Sequence, residues 1–199
     1  MTLIIFYFWA GSSWYENDLY YQVANSENSF IDKDDTLRIS TYNIGYLSGM
    51  TNNNPVARSE GLFSENLERS VRILSNLDLD FLALQEIDFY SERSYEYNQY
   101  DSLLQRLDFP NGAKAVNWDK SYVPFPYWPI KYQFGRILSG QAILSKMKLL
   151  KQDITVLSKP KNAPFYYNKF YLDRLIQTTF IPVNNSDTLA IMNVHLEAF

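Results

Sequence analysis

The chain has 199 residues, a net charge of -4, 46% hydrophobic residues and 20% charged residues, a composition that fits one globular domain and excludes a disordered or collagen-like protein. It contains no cysteine and therefore has no disulfide partner, thiol nucleophile or Cys-ligated metal, and its single histidine, His195, excludes a multi-histidine metal site. The pI near 5.0 argues against the broad basic surface of a protein that binds duplex DNA non-specifically.

Residues 3–10 form an unbroken apolar run, Leu-Ile-Ile-Phe-Tyr-Phe-Trp-Ala. Eight residues are too few to span a bilayer, which needs about 20. A signal peptide has basic residues before its apolar run, whereas the first basic residue here is Lys33. The run is interpreted as a strand or short helix packed on the domain, or as the remnant of an export signal or membrane anchor. We favour the remnant, which implies a membrane-anchored or exported protein; the alternative is a cytoplasmic one.

Residues 12–35 mix polar and aromatic side chains without a sustained period and predict a tether. Residues 1–35 are therefore interpreted as an apolar amino-terminal segment with a tether, and residues 36–199 as the folded domain. The first regular element follows directly, because residues 37–44 alternate apolar and polar side chains with the period of a strand.

A helix is predicted after a loop rich in glycine and asparagine at residues 45–55. Ser64 is its expected N-cap, and apolar residues recur at helical spacing from Leu67 to Leu77. Residues 80–86 then have the continuous apolar pattern of a strand buried on both faces. Further elements are expected along the rest of the chain: a helix at residues 97–107, short segments at 113–118, 122–130 and 141–145, and strands at 172–182 and 189–196 joined by a turn at 184–187.

Three of the predicted strands end in side chains that can do chemistry, namely Asn43, Glu86 and His195. A strand, a helix and a second strand in this order form a right-handed crossover with parallel strands. Asn43 and Glu86 are therefore expected at the same edge of one sheet. Taken singly, each of the three residues is better explained as a polar group where a strand meets water.

The order of the short motifs around these residues is more specific. Four blocks resemble, in order, the first landmarks of the endonuclease/exonuclease/phosphatase superfamily, the fold of pancreatic-type deoxyribonucleases, abasic-site endonucleases, neutral sphingomyelinases and inositol-polyphosphate 5-phosphatases. The resemblance covers Leu37 to Phe199. The blocks are Thr41-Tyr42-Asn43-Ile44-Gly45, Leu84-Gln85-Glu86-Ile87-Asp88, Gly140-Gln141-Ala142-Ile143-Leu144-Ser145 and Asn193-Val194-His195-Leu196.

This resemblance implies a four-layered α/β sandwich of the deoxyribonuclease-like type, incomplete at the carboxyl end, and a metal-dependent phosphoester hydrolase. By resemblance, Glu86 holds the catalytic Mg²⁺ or Mn²⁺, an expectation that agrees with the preference of hard cations for oxygen ligands. Asn43 would orient the metal ligands or the scissile phosphate, and His195 would hydrogen-bond or protonate a phosphate or leaving-group oxygen.

The substrate is left open among nucleic acid, a phospholipid headgroup and a small phosphate ester, with the acidic balance tilting away from duplex DNA. Arg174 and Lys120 are weak candidates for substrate binding and are better explained as solvated surface charges. The residues 93–99 are placed at the rim of the site by position alone. Five aromatic residues are interpreted as a platform for a base or lipid chain, or else as a loop packed on the domain. They are Trp118, Tyr122, Phe125, Tyr127 and Trp128.

The family's later blocks, Gly-Asp-x-Asn and Ser-Asp-His, are absent from the sequence. They would supply the groups that activate water, so we expect the chain to be a fragment of a longer hydrolase and to be poorly active as it stands. Two alternatives stay open: a catalytically inactive binding or interaction module that retains the half-fold, and a membrane-associated structural protein.

Overall fold

Two β-sheets pack face to face in the computed structural model, which describes residues 1–32, 34–184 and 187–196. The larger sheet has the order β1-β4-β5-β3-β2 and the smaller has the antiparallel order β6-β7-β8. The strands are β1 (Tyr21–Asn25), β2 (Ile39–Asn43), β3 (Phe81–Asp88), β4 (Asn111–Val123), β5 (Gly135–Ser145), β6 (Lys151–Val156), β7 (Leu175–Val183) and β8 (Asp187–Val194). The helices are α1 (Thr2–Ala10), α2 (Glu60–Ser75), α3 (Gln99–Arg106) and α4 (Phe165–Phe170).

The predicted strand-helix-strand unit at the start of the domain is confirmed. β2 and β3 are parallel, with Asn43 opposite Gln85. α2 joins them and buries Phe63, Leu67 and Leu74 against the large sheet. The helix begins earlier than predicted, because Ser59 rather than Ser64 is the N-cap and accepts a hydrogen bond from the Leu62 N–H. Capping satisfies an amide that the first helical turn leaves free.

β3 lies in the interior of the large sheet and is almost entirely buried, as its apolar run predicts. One face of the sheet packs under α2 and α3. The other face packs on the small sheet, where Phe81 and Ile143 meet Ile181 and Ile191. The predicted α/β class with two packed sheets is thus confirmed.

Part of the segment that the sequence predicts to be a tether, residues 14–25, packs on the domain. β1 pairs with β4 as an edge strand, and the backbone N–H groups of Trp14 and Tyr15 donate to the Asp119 carboxylate. Burial also raises the pKa of Tyr20 to about 12, with its hydrogen bond to Asp119 adding to the shift. These contacts are with residues about 100 positions away, so local periodicity does not reveal them.

The middle of the chain is more regular than its sequence suggests. The short segments predicted around residues 113–118 and 141–145 belong to the long antiparallel strands β4 and β5, while β6 and α4 were not predicted. The last two predicted strands correspond to β7 and β8. Two residues of the turn expected between them, 185 and 186, lie outside the described residues.

The apolar run at the amino terminus forms the short helix α1, which packs on the domain through one side. Phe6 and Trp9 contact the Tyr122 ring, and Tyr7 contacts Phe165. The other side of the helix is exposed; Leu3, for example, is 82% exposed. Within residues 1–32, 34–184 and 187–196, no helix has both the length and the hydropathy needed to cross a membrane.

Candidate functional site

Asn43, Glu86 and His195 meet at one edge of the sheets, as predicted for the first two. Asn43 Nδ2 donates to Glu86 Oε1 at 3.1 Å, and His195 Nε2 lies 3.4 Å from the same oxygen. The Glu86 and His195 side chains are 17% and 18% exposed, so both are reachable from solvent. β2, β3 and the end of β8 therefore converge on one small polar cluster.

An irregularity in β3 directs Glu86 into this cluster. The pairing of β3 with β5 shifts register between Gln85 and Ile87, and Glu86 has φ of 52°, in the left-handed region. Such a bulge re-aims a side chain out of the regular alternation, and positive φ is costly for a residue with a Cβ atom. The carboxylate is then held by two amides, since Asn52 Nδ2 donates to Glu86 Oε2 at 3.0 Å.

The other polar residues of the motifs join the two sheets beneath the cluster. Gln85 Nε2 donates to Asn193 Oδ1 at 2.6 Å, and Asn193 Nδ2 donates to the carbonyl oxygens of Leu84 and Ala142. Gln141 Nε2 donates to the Asn193 carbonyl oxygen. Buried amides of this kind must be paired to be tolerated, so the network fixes how the strands that carry Glu86 and His195 meet.

Gly140, in the third motif, permits the close approach of β4 and β5 at this level. A Cβ atom at this position would lie 2.0 Å from the Ala115 carbonyl oxygen. All six residues of this block are buried in β5.

Arg174 favours one tautomer of His195. Its Nη1 lies 3.1 Å from His195 Nδ1 and 3.4 Å from the His195 carbonyl oxygen. Because a guanidinium can only donate, this contact favours the tautomer of the neutral imidazole in which Nδ1 accepts and Nε2 carries the proton. Burial, followed by the neighbouring guanidinium, lowers the pKa of His195, and Glu86 opposes this shift only in part. His195 is thus presented as a neutral Nε2–H donor.

Arg174 has further donor capacity. Its Nη2 donates to the Tyr171 hydroxyl oxygen at 3.3 Å, whereas its buried Nε has no hydrogen-bond partner among the described residues. An unpaired buried donor is costly and is expected to be satisfied by a bound group or water. The cluster therefore combines one carboxylate, two amides, a neutral imidazole and a guanidinium.

A cavity of about 440 Å³ opens beside this cluster. Glu86, Arg174 and His195 form its polar end, and most of the remaining wall is aromatic. The apolar wall consists of Tyr46, Trp118, Val123, Phe125, Tyr127, Phe134, Tyr166, Tyr167, Phe170, Tyr171 and Leu172. A polar end next to an apolar wall is typical of pockets that orient a small molecule by a few polar contacts.

A buried ion pair supports the aromatic wall from behind. The Arg93 guanidinium carbon lies 3.4 Å from the centre of the Tyr46 ring and 4.9 Å from that of Trp118. Arg93 also donates to Asp88, and both side chains are almost fully buried. Cation–π contacts and the ion pair therefore hold the wall in place. Arg93, which the sequence places at the rim of the site, lies under the wall instead.

The cluster offers one carboxylate to a hard divalent cation. Mg²⁺ binds through one or two carboxylates and keeps waters and substrate oxygens as its other ligands. Glu86 is one such carboxylate, partly exposed and held only by neutral amides. Among the described residues, no three or more His, Asp or Glu side chains are grouped as a complete metal cage. The residues present fit a metal that is held mainly by one carboxylate, solvent and substrate.

The remaining sequence candidates divide between this site and other places. Arg174 lies in the cluster, whereas Lys120 lines a separate small cavity with Asp173. Burial lowers the pKa of Lys120; Lys159 and Lys169 add to the shift, and Asp173 and Asp119 oppose it. Of the aromatic residues considered as a platform, three line the cavity (Trp118, Phe125 and Tyr127) and two, Tyr122 and Trp128, do not.

Sequence reasoning missed Asn52 and Tyr46. Asn52 lies in the asparagine-rich stretch that was interpreted only as a loop, and this stretch places its amide on Glu86. Tyr46 directly follows the first motif, with φ of 55°, and its ring forms part of the cavity wall. The proximity of both residues to the Asn43 block was the only signal that pointed to them.

Neither a protein-family model nor a curated protein matches the sequence. Three solved structures are similar to the chain. An endonuclease/exonuclease/phosphatase from Beutenbergia cavernae is 17% identical with a TM-score of 0.51, over 80% of this chain and 38% of that protein. An endonuclease/exonuclease/phosphatase family protein from Leptotrichia buccalis is 15% identical with a TM-score of 0.47, over 81% and 55%. ANGEL2, a 2',3'-cyclic phosphatase, is 17% identical with a TM-score of 0.48, over 92% and 45%.

The likeness to the Beutenbergia cavernae protein is one of fold, since the identity is low. The chain spans between 38% and 55% of the length of these three structures. Three of the four sequence motifs place Asn43, Glu86 and His195 in the polar cluster, and the β5 motif contributes Gln141 to the network beneath it.

Proposed function

The chain has the fold of the endonuclease/exonuclease/phosphatase superfamily, and from this premise we propose that it carries the metal- and phosphate-binding part of a Mg²⁺- or Mn²⁺-dependent phosphoester hydrolase. The observation that supports this most is the Glu86 carboxylate, which is held by Asn43 and Asn52 beside His195 and Arg174 at the end of a cavity. Fold alone hosts many functions, so the proposal depends on this geometry.

Glu86 would hold the cation. Its two oxygens accept from neutral amides on opposite sides, which fixes the orientation of the carboxylate without neutralising its charge. When bound, the metal supplies charge neutralisation and polarisation of the phosphoryl oxygens. The amides of Asn43 and Asn52 act through Glu86 by holding it in the orientation that a ligand must have.

His195 and Arg174 would bind the phosphoryl group. In the tautomer that Arg174 favours, His195 presents Nε2–H next to Glu86, where it would donate to a phosphoryl oxygen. Arg174 contributes positive charge and an unpaired donor. Donors that are already in place when negative charge develops lower the barrier to phosphoryl transfer.

The organic group attached to the phosphate would enter the aromatic cavity, which begins at the same cluster. Its walls suit a flat ring or an apolar chain. Phosphoesters that carry such a group, nucleotides among them, are therefore favoured over small polar phosphate esters. Trp118, Phe125 and Tyr127 would contact this group.

A titration with Mn²⁺, followed by electron paramagnetic resonance, tests the metal site. We expect one site in the 199-residue chain, with affinity reduced at least 100-fold in Glu86→Gln. Glu65→Gln is the matched control, because Glu65 lies on α2 in an exposed pair with Arg69. Equal Mn²⁺ affinity in the wild type and Glu86→Gln, or no binding at all, would contradict the proposal.

Turnover distinguishes the hydrolase from an inactive binding module. Because the sequence holds one histidine and neither of the family's later blocks, we expect slow Mg²⁺-dependent cleavage of bis-p-nitrophenyl phosphate despite metal binding. Rapid cleavage that Glu86→Gln abolishes would support the site and overturn this expectation. In-frame Gly-Asp-x-Asn and Ser-Asp-His blocks in the coding DNA beyond Phe199 would favour the hydrolase over the inactive module.

A further inference from the structure

One surface of the domain exposes large apolar side chains from three separate elements. Four residues of α1, Leu3, Ile4, Ile5 and Phe8, point away from the domain and are largely exposed. Two neighbouring elements add Tyr127, Trp128 and Ile130 of the β4–β5 connection and Phe165 and Tyr166 of α4. Trp128 is 75% exposed and Phe165 is 72% exposed. This surface, made of α1, residues 127–130 and α4, is called the aromatic face below.

The three elements form a continuous surface. Tyr7 contacts the rings of Phe165 and Phe170, which connects α1 to α4. Phe6 and Trp9 contact Tyr122, which joins α1 to the end of β4. The two remaining elements approach each other at the cavity, where Tyr127 and Tyr166 both form part of the wall. The cavity therefore opens at the aromatic face.

Basic residues outnumber acidic ones in the part of the sequence that supplies two of the three elements of this face. Residues 121–174 contain nine Lys and Arg residues and two Asp residues, whereas residues 1–120 contain nine basic and 18 acidic residues. Lys131 and Lys161 are exposed beside the face, and Lys169 lies over the rings of Tyr7 and Phe8. None of these three lysines pairs with an acidic side chain in the part of the chain that the structure describes.

We propose that the aromatic face binds the surface of a bilayer that contains anionic lipids. Exposed Trp and Tyr rings next to lysines are the side chains that favour the interface between headgroups and acyl chains. Lysines at that depth are attracted to anionic headgroups. A second copy of the chain would bring the same lysines against one another, so charge complementarity favours the bilayer as occupant. α1 would lie on the surface rather than cross the bilayer.

Vesicle binding by the full chain tests this proposal independently of metal binding and hydrolysis. In flotation assays we expect at least tenfold tighter binding to vesicles with about 30% phosphatidylserine than to pure phosphatidylcholine vesicles. Ile130→Glu should weaken binding at least fivefold. Ile73→Glu on α2 is the matched control, because Ile130 and Ile73 are 62% and 61% exposed. Circular dichroism and urea midpoints would verify that both variants are folded.

The electrostatic part of the proposal has its own test. Lys131→Gln combined with Lys161→Gln should remove most of the preference for anionic vesicles, whereas Lys151→Gln, at an exposed pair with Asp153, should not. The proposal is overturned if the chain does not bind vesicles or if Ile73→Glu weakens binding as much as Ile130→Glu. It is also overturned if sedimentation velocity without lipid shows a dimer that Ile130→Glu dissociates, because the occupant is then a second copy.

Discussion

Glu86 and Asp88 are carboxylates two residues apart on β3, and their surroundings are opposite. Asp88 is fully buried and accepts from Ser91 Oγ and from two nitrogens of Arg93. Glu86 lies at the irregularity in the strand, is partly exposed, accepts from two neutral amides and has His195 Nε2 3.4 Å from one oxygen. A guanidinium neutralises Asp88 directly, whereas the charge of Glu86 is left available to a cation that enters from the cavity.

The charge of Asp88 thus stabilises the fold, whereas the charge of Glu86 is placed for binding. A buried ion pair is out of reach of a ligand, and its removal affects folding. A solvent-accessible carboxylate with neutral partners contributes little to folding and can still bind a cation. The predictions below test whether the two positions differ in this way.

The largest effect is expected at the buried pair. Arg93→Met should lower the free energy of unfolding by about 3–5 kcal/mol, because it leaves the Asp88 charge buried without its partner. The matched control is Arg38→Met, at an exposed pair with Asp78, which should cost less than about 1 kcal/mol. Urea denaturation measures both values. Similar losses in the two variants would show that Arg93 and Asp88 are not the structural pair described here.

Asn52→Ala should have the next largest effect, on binding rather than folding. Loss of the amide that orients Glu86 Oε2 is expected to lower Mn²⁺ affinity by about 10–100-fold. Asn54→Ala, in the same loop, removes only a hydrogen bond to the Met50 carbonyl oxygen and should leave Mn²⁺ affinity unchanged. If Asn54→Ala weakens binding equally, the loop conformation, and not the amide on Glu86, explains the loss.

Arg174→Lys should reduce phosphate affinity while leaving metal affinity intact. Lysine keeps the charge but loses the planar fork that contacts His195 and Tyr171, so we expect about tenfold weaker binding of inorganic phosphate in the presence of Mn²⁺. Isothermal titration calorimetry measures this difference. Unchanged phosphate affinity would remove Arg174 from the site.

The smallest effect concerns Lys120, which lies outside the cluster. Burial lowers its pKa in the folded state, so the unfolded chain binds the proton more readily and protonation opposes folding. Lys120→Met should therefore raise the free energy of unfolding at pH 7 by about 0.5 kcal/mol. This gain in the free energy of unfolding should shrink as the pH rises towards about 10.4, the usual lysine pKa. Destabilisation at pH 7, or weaker phosphate binding in this variant, would contradict the assignment of Lys120 to a separate cavity.

The meeting of Asn43 and Glu86 could be predicted because it depends on local patterns. One strand, one amphipathic helix and one apolar strand define a crossover, and the crossover alone places both residues at one sheet edge. Local patterns were less reliable at boundaries: Ser59 and Ser64 are both acceptable caps, and only the packing of Phe63 under the sheet decides between them.

The aromatic cavity and the role of residues 12–35 could not be predicted. The cavity wall combines Tyr46, β4 with the β4–β5 connection, and α4, three regions that are far apart in sequence and have no common period. β1 is a strand because β4 offers it an edge, not because its own five residues demand it. Long-range pairing of this kind overrides weak local preference.

A crystal of the chain soaked in Mn²⁺ and measured for anomalous scattering tests the central claim most directly. We predict one strong anomalous peak within about 2.0–2.2 Å of a Glu86 carboxylate oxygen, the coordination distance of such cations, and no peak at the buried Asp88. A peak at another acidic group with Glu86 unliganded, or a peak at Glu86 that persists in Glu86→Gln crystals, would contradict the account.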